Sequence, residues 1–188
     1  MKSKPLDPRR LDVAALAQRG EQLAGEWPLA SLERLAEAAV RESPAFDGAQ
    51  VRWRLTGEAR PVKGGAAEIW MYLHAQVELP LCCQRCLGPV QTVLEVERPL
   101  RFVADESRAA ALDAELEEDV LELVRDLDAL ELVEDELLLE LPLVPAHEDD
   151  CPDPLPRPVD DLDEVSEPAQ EPAEHPFAAL ARLKKSTS

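Results

Sequence analysis

With 188 residues, 45% of them hydrophobic, and a formal net charge of −19, the chain can bury one modest core while carrying a large acidic excess. That excess is confined: residues 1–103 hold 14 Lys/Arg against 13 Asp/Glu, whereas residues 104–188 hold 6 against 26. An acidic half of this kind repels nucleic acid and favours basic partners or keeps a tail solvated, which argues against an enzyme for anionic substrates.

The opening "MKSKPLDPRR" turns polar at once and no apolar run reaches signal or membrane length, so a cytoplasmic protein is expected. In "RRLDVAALAQRG", Leu11, Ala14, Ala15 and Leu16 form a short helical stripe that Gly20 ends. "EQLAGEWPLA" reads as extended, broken by Gly25 and Pro28. A second helix follows in "SLERLAEAAVRE", with Leu32, Leu35, Ala36, Ala39 and Val40 on one face, Ser31 at the N-cap position and Pro44 beyond the end.

From residue 50 the period changes to two. "QVRWRLTGEA" sets Val51, Trp53 and Leu55 against Arg52 and Arg54; "AAEIWMYLHAQVELPLCC" and "VQTVLEVERPLRFVA" supply two further strands. Their spacing predicts an antiparallel β-meander, with "RPVKGG" in one connection and "CCQRCLGPV" capping the next hairpin. The stretch 104–118 reads as a loose acidic insert, and "VLELVRD" as a short returning strand. "DALELVEDELLLELP" predicts an acidic helix capped by Asp128, with Glu131 closing a capping box and Glu134, Asp135 and Glu136 on a wet face. The expected fold is therefore α+β: a meander packed by N-terminal helices and one acidic C-terminal helix, within residues 1–145.

Nine prolines and many acids between Pro142 and Pro176 predict a disordered acidic linker over residues 146–175. The ending "HPFAALARLKK", residues 176–188 with the final polar residues, places Phe177, Leu180 and Leu183 at helical spacing. It is either a docking element for a partner groove or a segment that folds back on its own domain.

Cytoplasmic thiols stay reduced, so clustered cysteines point to metal or redox chemistry rather than a disulfide. Cys83 and Cys86 have C-x2-C spacing, and His147 and Cys151 supply an H-x3-C pair; together they form a candidate set for one structural zinc. That set requires the acidic helix to bring its C-terminal end to the hairpin. A redox pair lacks a thioredoxin-like context, and ordinary reduced thiols at a turn remain an alternative. Cys82 would point across the strand. No nucleophile elbow, phosphate loop or glycine fingerprint is present, and His74 lies within a strand pattern. Arg52, Arg54, Arg60 and Lys63 make a small basic patch suited to RNA phosphates, or else a solvated strand face.

Four signatures taken together, "CCQRCLGPV", "LDALELVEDELLLELPLVPAHEDDC", "PLASLERLAEA" and "HPFAALARLKK", resemble the YceD family, the bacterial large ribosomal RNA subunit accumulation proteins. The family pattern maps onto Cys83, Cys86, Glu134, Asp135, Glu136, Pro142, Pro145, His147, Cys151, Pro176, Phe177, Leu180 and Leu183, with Cys82 outside it. The resemblance implies a non-enzymatic role in ribosome biogenesis, with ribosomal RNA precursor or a basic ribosomal protein as partner. Two modes are open: an adaptor touching RNA or a ribosomal protein, and an acidic chaperone-like binder of a basic ribosomal protein without RNA contact.

Overall fold

The computed structural model describes residues 6–113 and 119–152. Five strands form one sheet in the order β1-β2-β3-β4-β5: β1 Gln22–Pro28, β2 Gln50–Arg60, β3 Glu68–Cys82, β4 Pro89–Val103 and β5 Asp119–Glu122. The first four pair antiparallel, so the expected meander is present, extended by β1 on one edge. The returning strand β5 runs parallel to β4 and meets only Leu100–Val103.

Period-two alternation puts Val51, Trp53 and Leu55 of β2, Met71, Leu73, Ala75, Val77 and Leu79 of β3, and Leu94, Val96 and Leu100 of β4 into one core. Helices α1 (Val13–Arg19), α2 (Glu33–Ala38) and α5 (Ala129–Leu139) contribute Leu16, Leu35, Val133 and Leu137 to it. Asp12 caps α1 by accepting the Ala15 N–H at 2.8 Å, and Gly20 ends it in the left-handed region, φ 59°. Helix α2 ends at Ala38, short of the expected Val40, and Pro44 instead opens the short helix α3 (Pro44–Asp47), with Ser43 as N-cap. Within the expected loose insert, Glu106–Asp113 forms α4, whose Ala109 joins Val103 and Val120 in a second small cluster.

Two glycines allow close packing. Trp27 stacks on Trp53 with ring centroids 4.4 Å apart, and Gly25, paired with Trp53, leaves room for the indole. Gly57 lies under α1, where a Cβ would stand 2.6 Å from the backbone of Leu16 and Ala17.

The acidic helix departs from its expected wet face. Glu134 is 5% exposed and reaches the start of α2, whose N-cap, Leu32, has no side-chain acceptor. Its Oε1 accepts the backbone N–H groups of Arg34 and Leu35 at 2.8 and 3.1 Å, and its Oε2 accepts Nε and Nη2 of Arg34. A carboxylate from a helix a hundred residues away thus caps α2 in place of Ser31, whose hydroxyl donates to Pro28 O instead. Asp135 is exposed as expected and pairs with Arg34 at 2.6 Å. Asp128 caps α5 through the Leu130 and Glu131 N–H groups.

Glu136 is also buried, and its Oε2 has no hydrogen-bond donor; Arg98 Nε stands 3.5 Å away, with Glu140 pairing to the same guanidinium at 3.1 Å. Burial pushes the Glu136 carboxyl up; Arg98 pulls it back, while Asp119, Asp135 and Glu140 push it further. An acid raised in the folded state adds stability below its unfolded pKa and loses that contribution as pH rises through the folded value. Among the described residues no helix is long and apolar enough to cross a membrane.

Glu134→Ala should cost about 1–3 kcal/mol in denaturant melts, because it leaves the backbone N–H groups of Arg34 and Leu35 without their acceptor and uncaps α2, while Arg34 keeps Asp135. Glu136→Gln should melt at or above the parent temperature at neutral pH, with any advantage shrinking as pH falls through the raised folded pKa and gone below about pH 4.5, where the carboxyl is protonated in both states. Gly57→Ala should destabilise by roughly 2–3 kcal/mol by prising α1 off β2; an unchanged melt would contradict the close approach.

Candidate metal centre

The turn between β3 and β4 is closed by two backbone bonds, Cys83 N–H to Gly88 O at 2.9 Å and Leu87 N–H to Cys83 O at 2.9 Å. Leu87 takes φ 61°, a left-handed position that bends the chain so that Cys83 and Cys86 face the same side. The Arg85 N–H points at Cys83 Sγ, 3.4 Å away, as the amides of a metal knuckle do.

After α5 the chain turns back to this hairpin. Pro145 O accepts the Gln84 N–H at 2.8 Å; the Arg85 guanidinium donates to His147 O and, at 2.6 Å, to Asp149 O. Both residues between the paired cysteines therefore hold residues 145–149 in place. His147 and Cys151 arrive beside Cys83 and Cys86: Cys83 Sγ lies 3.9 Å from Cys151 Sγ, and Cys86 Sγ 3.7 Å from His147 Nδ1. All four donor atoms lie within 4.8 Å of one another.

Four ligands at about 2.0–2.3 Å from a tetrahedral zinc stand roughly 3.4–3.8 Å apart, so the donor set and its spacing fit such an ion. Three soft sulfurs and an imidazole are the chemistry that zinc prefers over magnesium or calcium. With four protein donors no coordination position is left for substrate, which is the pattern of a structural site. Cys83 is fully buried, and the other three residues are partly shielded.

The thiols are already polarised unequally. Burial pushes Cys83 up, but backbone N–H groups of Arg85, Cys86 and His147 and the His147 side chain outweigh it, leaving its pKa lowered to about 5. Burial, with hydrogen bonds to Cys86 and Cys83, raises Cys151 to about 11. Cys82 lies outside the cluster, its Sγ 3.6 Å from Leu87 O. Sequence reasoning missed Arg85, whose charge gave no hint that it serves two backbone carbonyls.

The basic candidates are placed differently. Arg52 and Arg54 are exposed at alternate positions of β2. Arg52 bonds to Gln76 Oε1 at 2.9 Å and is paired with Glu26 of β1. Arg60 is drawn away onto Trp70, 4.1 Å from the ring centroid, and held by Glu58 at 3.0 Å and by Tyr72 Oη. Lys63 is exposed in the β2–β3 connection. Nearby, His74 stands 3.4 Å from Glu95 and 3.7 Å from Glu97, so carboxylates interleave with the arginines. Phe177, Leu180 and Leu183 lie outside the described residues, as do residues 153–175 of the expected linker; residues 146–152 pack at the hairpin.

Arg85→Ala should loosen residues 145–149 and lower stability by about 1–2 kcal/mol, with faster amide exchange at Gln84 as the local readout. Unchanged exchange at Gln84 would show that the cysteine and histidine contacts alone hold the return segment.

Residues 71–184 match the family model described as "Large ribosomal RNA subunit accumulation protein YceD". The chain is also 32% identical over 183 residues to a Haemophilus influenzae protein of that same description, covering 95% of this chain and 96% of the relative. No solved structure matches the chain. The family match spans the cysteine knuckle, the acidic helix and the returning histidine–cysteine segment, and on it the chain belongs to the YceD family.

Proposed function

We propose that the protein is a non-enzymatic cytoplasmic adaptor in the accumulation of large-subunit ribosomal RNA, holding a basic ribosomal protein, with Cys83, Cys86, His147 and Cys151 around one structural zinc. The name of the Haemophilus relative attaches that protein to large ribosomal RNA accumulation, which supports the general role. The observation that carries the choice of partner is the engagement of the candidate phosphate-binding side chains: Arg52 bonds Gln76 and Arg60 stacks on Trp70 beside Glu58, on a surface that also bears Glu95 and Glu97. Phosphates approaching that surface meet carboxylates, whereas lysine- and arginine-rich protein meets favourable charge over a chain of net charge −19.

Zinc in this set would cross-link the hairpin to the return segment and supply no reaction chemistry. The Cys83 and Cys86 thiolates would hold it at the turn, and the His147 imidazole and the Cys151 thiolate would close the set from the return segment. Phe177, Leu180 and Leu183 are proposed to add a tethered apolar anchor for the same partner.

A second reading, direct contact with ribosomal RNA, draws on the shared exposure of Arg52 and Arg54. Binding of the full chain to purified basic large-subunit proteins and to large-subunit ribosomal RNA, each across a salt series, separates the two. The adaptor reading expects salt-sensitive protein binding that Arg52→Ala with Arg54→Ala leaves unchanged, and RNA binding no stronger than non-specific. Tight RNA binding that the double variant loses, without protein binding, would overturn it in favour of the RNA reading.

A further inference from the structure

Strand β4 pairs with β3 from Pro89 to Phe102, but β5 covers its other side only over Leu100–Val103. Among the described residues no strand pairs with that side of Val90–Pro99, so alternate backbone N–H and C=O groups there have no ladder partner. Nine or ten residues of open edge run about 30 Å. Such edges are usually blunted by lysines, bulges or a covering element. This one carries no lysine and is bounded by Pro89 and Pro99, which lack the N–H a neighbour would need. β5 already occupies the far end of the same edge, so the edge accepts a strand.

A groove of about 940 Å³ lies between the first residues of β4 and residues 142–150. Val93 and Val144, 57% and 66% exposed, supply apolar contact, and exposed Glu148, Asp149 and Asp150 supply negative charge; no Lys or Arg lines it. Asp149 and Asp150 sit between His147 and Cys151, so the acidic wall is held by the same return that builds the metal centre.

We infer that the open β4 edge is a docking site for an extended, basic peptide segment, taken up as an added strand whose backbone pairs with Val90–Pro99 and whose cations face residues 148–150. The inference rests on the proposed protein-adaptor role and names the surface through which it works. Backbone pairing gives affinity with little demand on sequence, and the acidic wall selects charge. A second copy of the chain fits poorly, because it would bring its own acidic wall against this one.

The probe is a labelled ten-residue peptide alternating valine with lysine or arginine, compared with its valine–glutamate counterpart, on the full chain. The variant combines Val93→Lys, Asp149→Lys and Asp150→Lys, all exposed side chains, with its melting temperature as the folding control. The expected result is binding of the basic peptide alone, weakened at least tenfold in the variant, with slowed amide exchange within residues 90–98 of the parent. No binding by the parent, equal binding by the variant, or protection elsewhere overturns the inference. A concentration-dependent dimer protected at the same amides also overturns it, assigning the edge to a second copy. If parent and variant still retain a full-length basic ribosomal protein equally, the docking surface fails while the adaptor role stands; if the parent retains none, the adaptor role itself fails.

Discussion

The return of residues 145–151 onto the β3–β4 hairpin is the constraint from which the rest of this structure follows. It places four soft donors within 4.8 Å of one another and joins positions more than sixty residues apart. A cross-link over a loop of that length removes unfolded-state entropy worth about 4 kcal/mol by the reasoning used for disulfides. Hydrogen bonds from the Gln84 N–H and the Arg85 guanidinium position the return before any ion is considered. A second long-range tie, from Glu134 in the middle of α5 to the start of α2, fixes the same helix–return unit against the N-terminal helices. The acidic helix is thus tied at its middle and, through the return beyond its C-terminal end, at the hairpin, with Val133 and Leu137 buried in the core.

Placed this way, the four donors would leave a bound zinc no open coordination position. Its consequence would be mechanical. With zinc bound as proposed, the return segment would be a strap beside β4, carrying the exposed acids Glu148, Asp149 and Asp150. The sheet surface bearing the arginines is neutralised locally by glutamates, whereas three exposed acids, Glu148, Asp149 and Asp150, stand on the return segment. In the proposed adaptor role, partner choice would follow from that distribution more than from net charge alone.

Much of the fold was legible because period-two alternation is a direct consequence of a half-buried strand. Val51, Trp53 and Leu55 could face a core only with Arg52 and Arg54 turned out. The two donor pairs were legible from C-x2-C and H-x3-C spacing, although no spacing rule states that two pairs so far apart in the chain meet. Glu134 was misread because an acid on an acidic helix is usually solvated, and its partners are backbone amides that carry no sequence signal. Arg85 was missed for the same reason. Four-residue β5 was seen as a strand, but its parallel direction depends on where the intervening segment carries the chain.

A zinc at the cysteine–histidine junction is proposed to hold the fold together. The direct test is the metal content of full chain purified without a metal-affinity tag, paired with its melting temperature before and after chelation. One zinc per chain is expected, with a lower melting temperature once zinc is stripped and recovery when zinc alone is returned. Metal-free protein that melts at the same temperature with and without added zinc would contradict it.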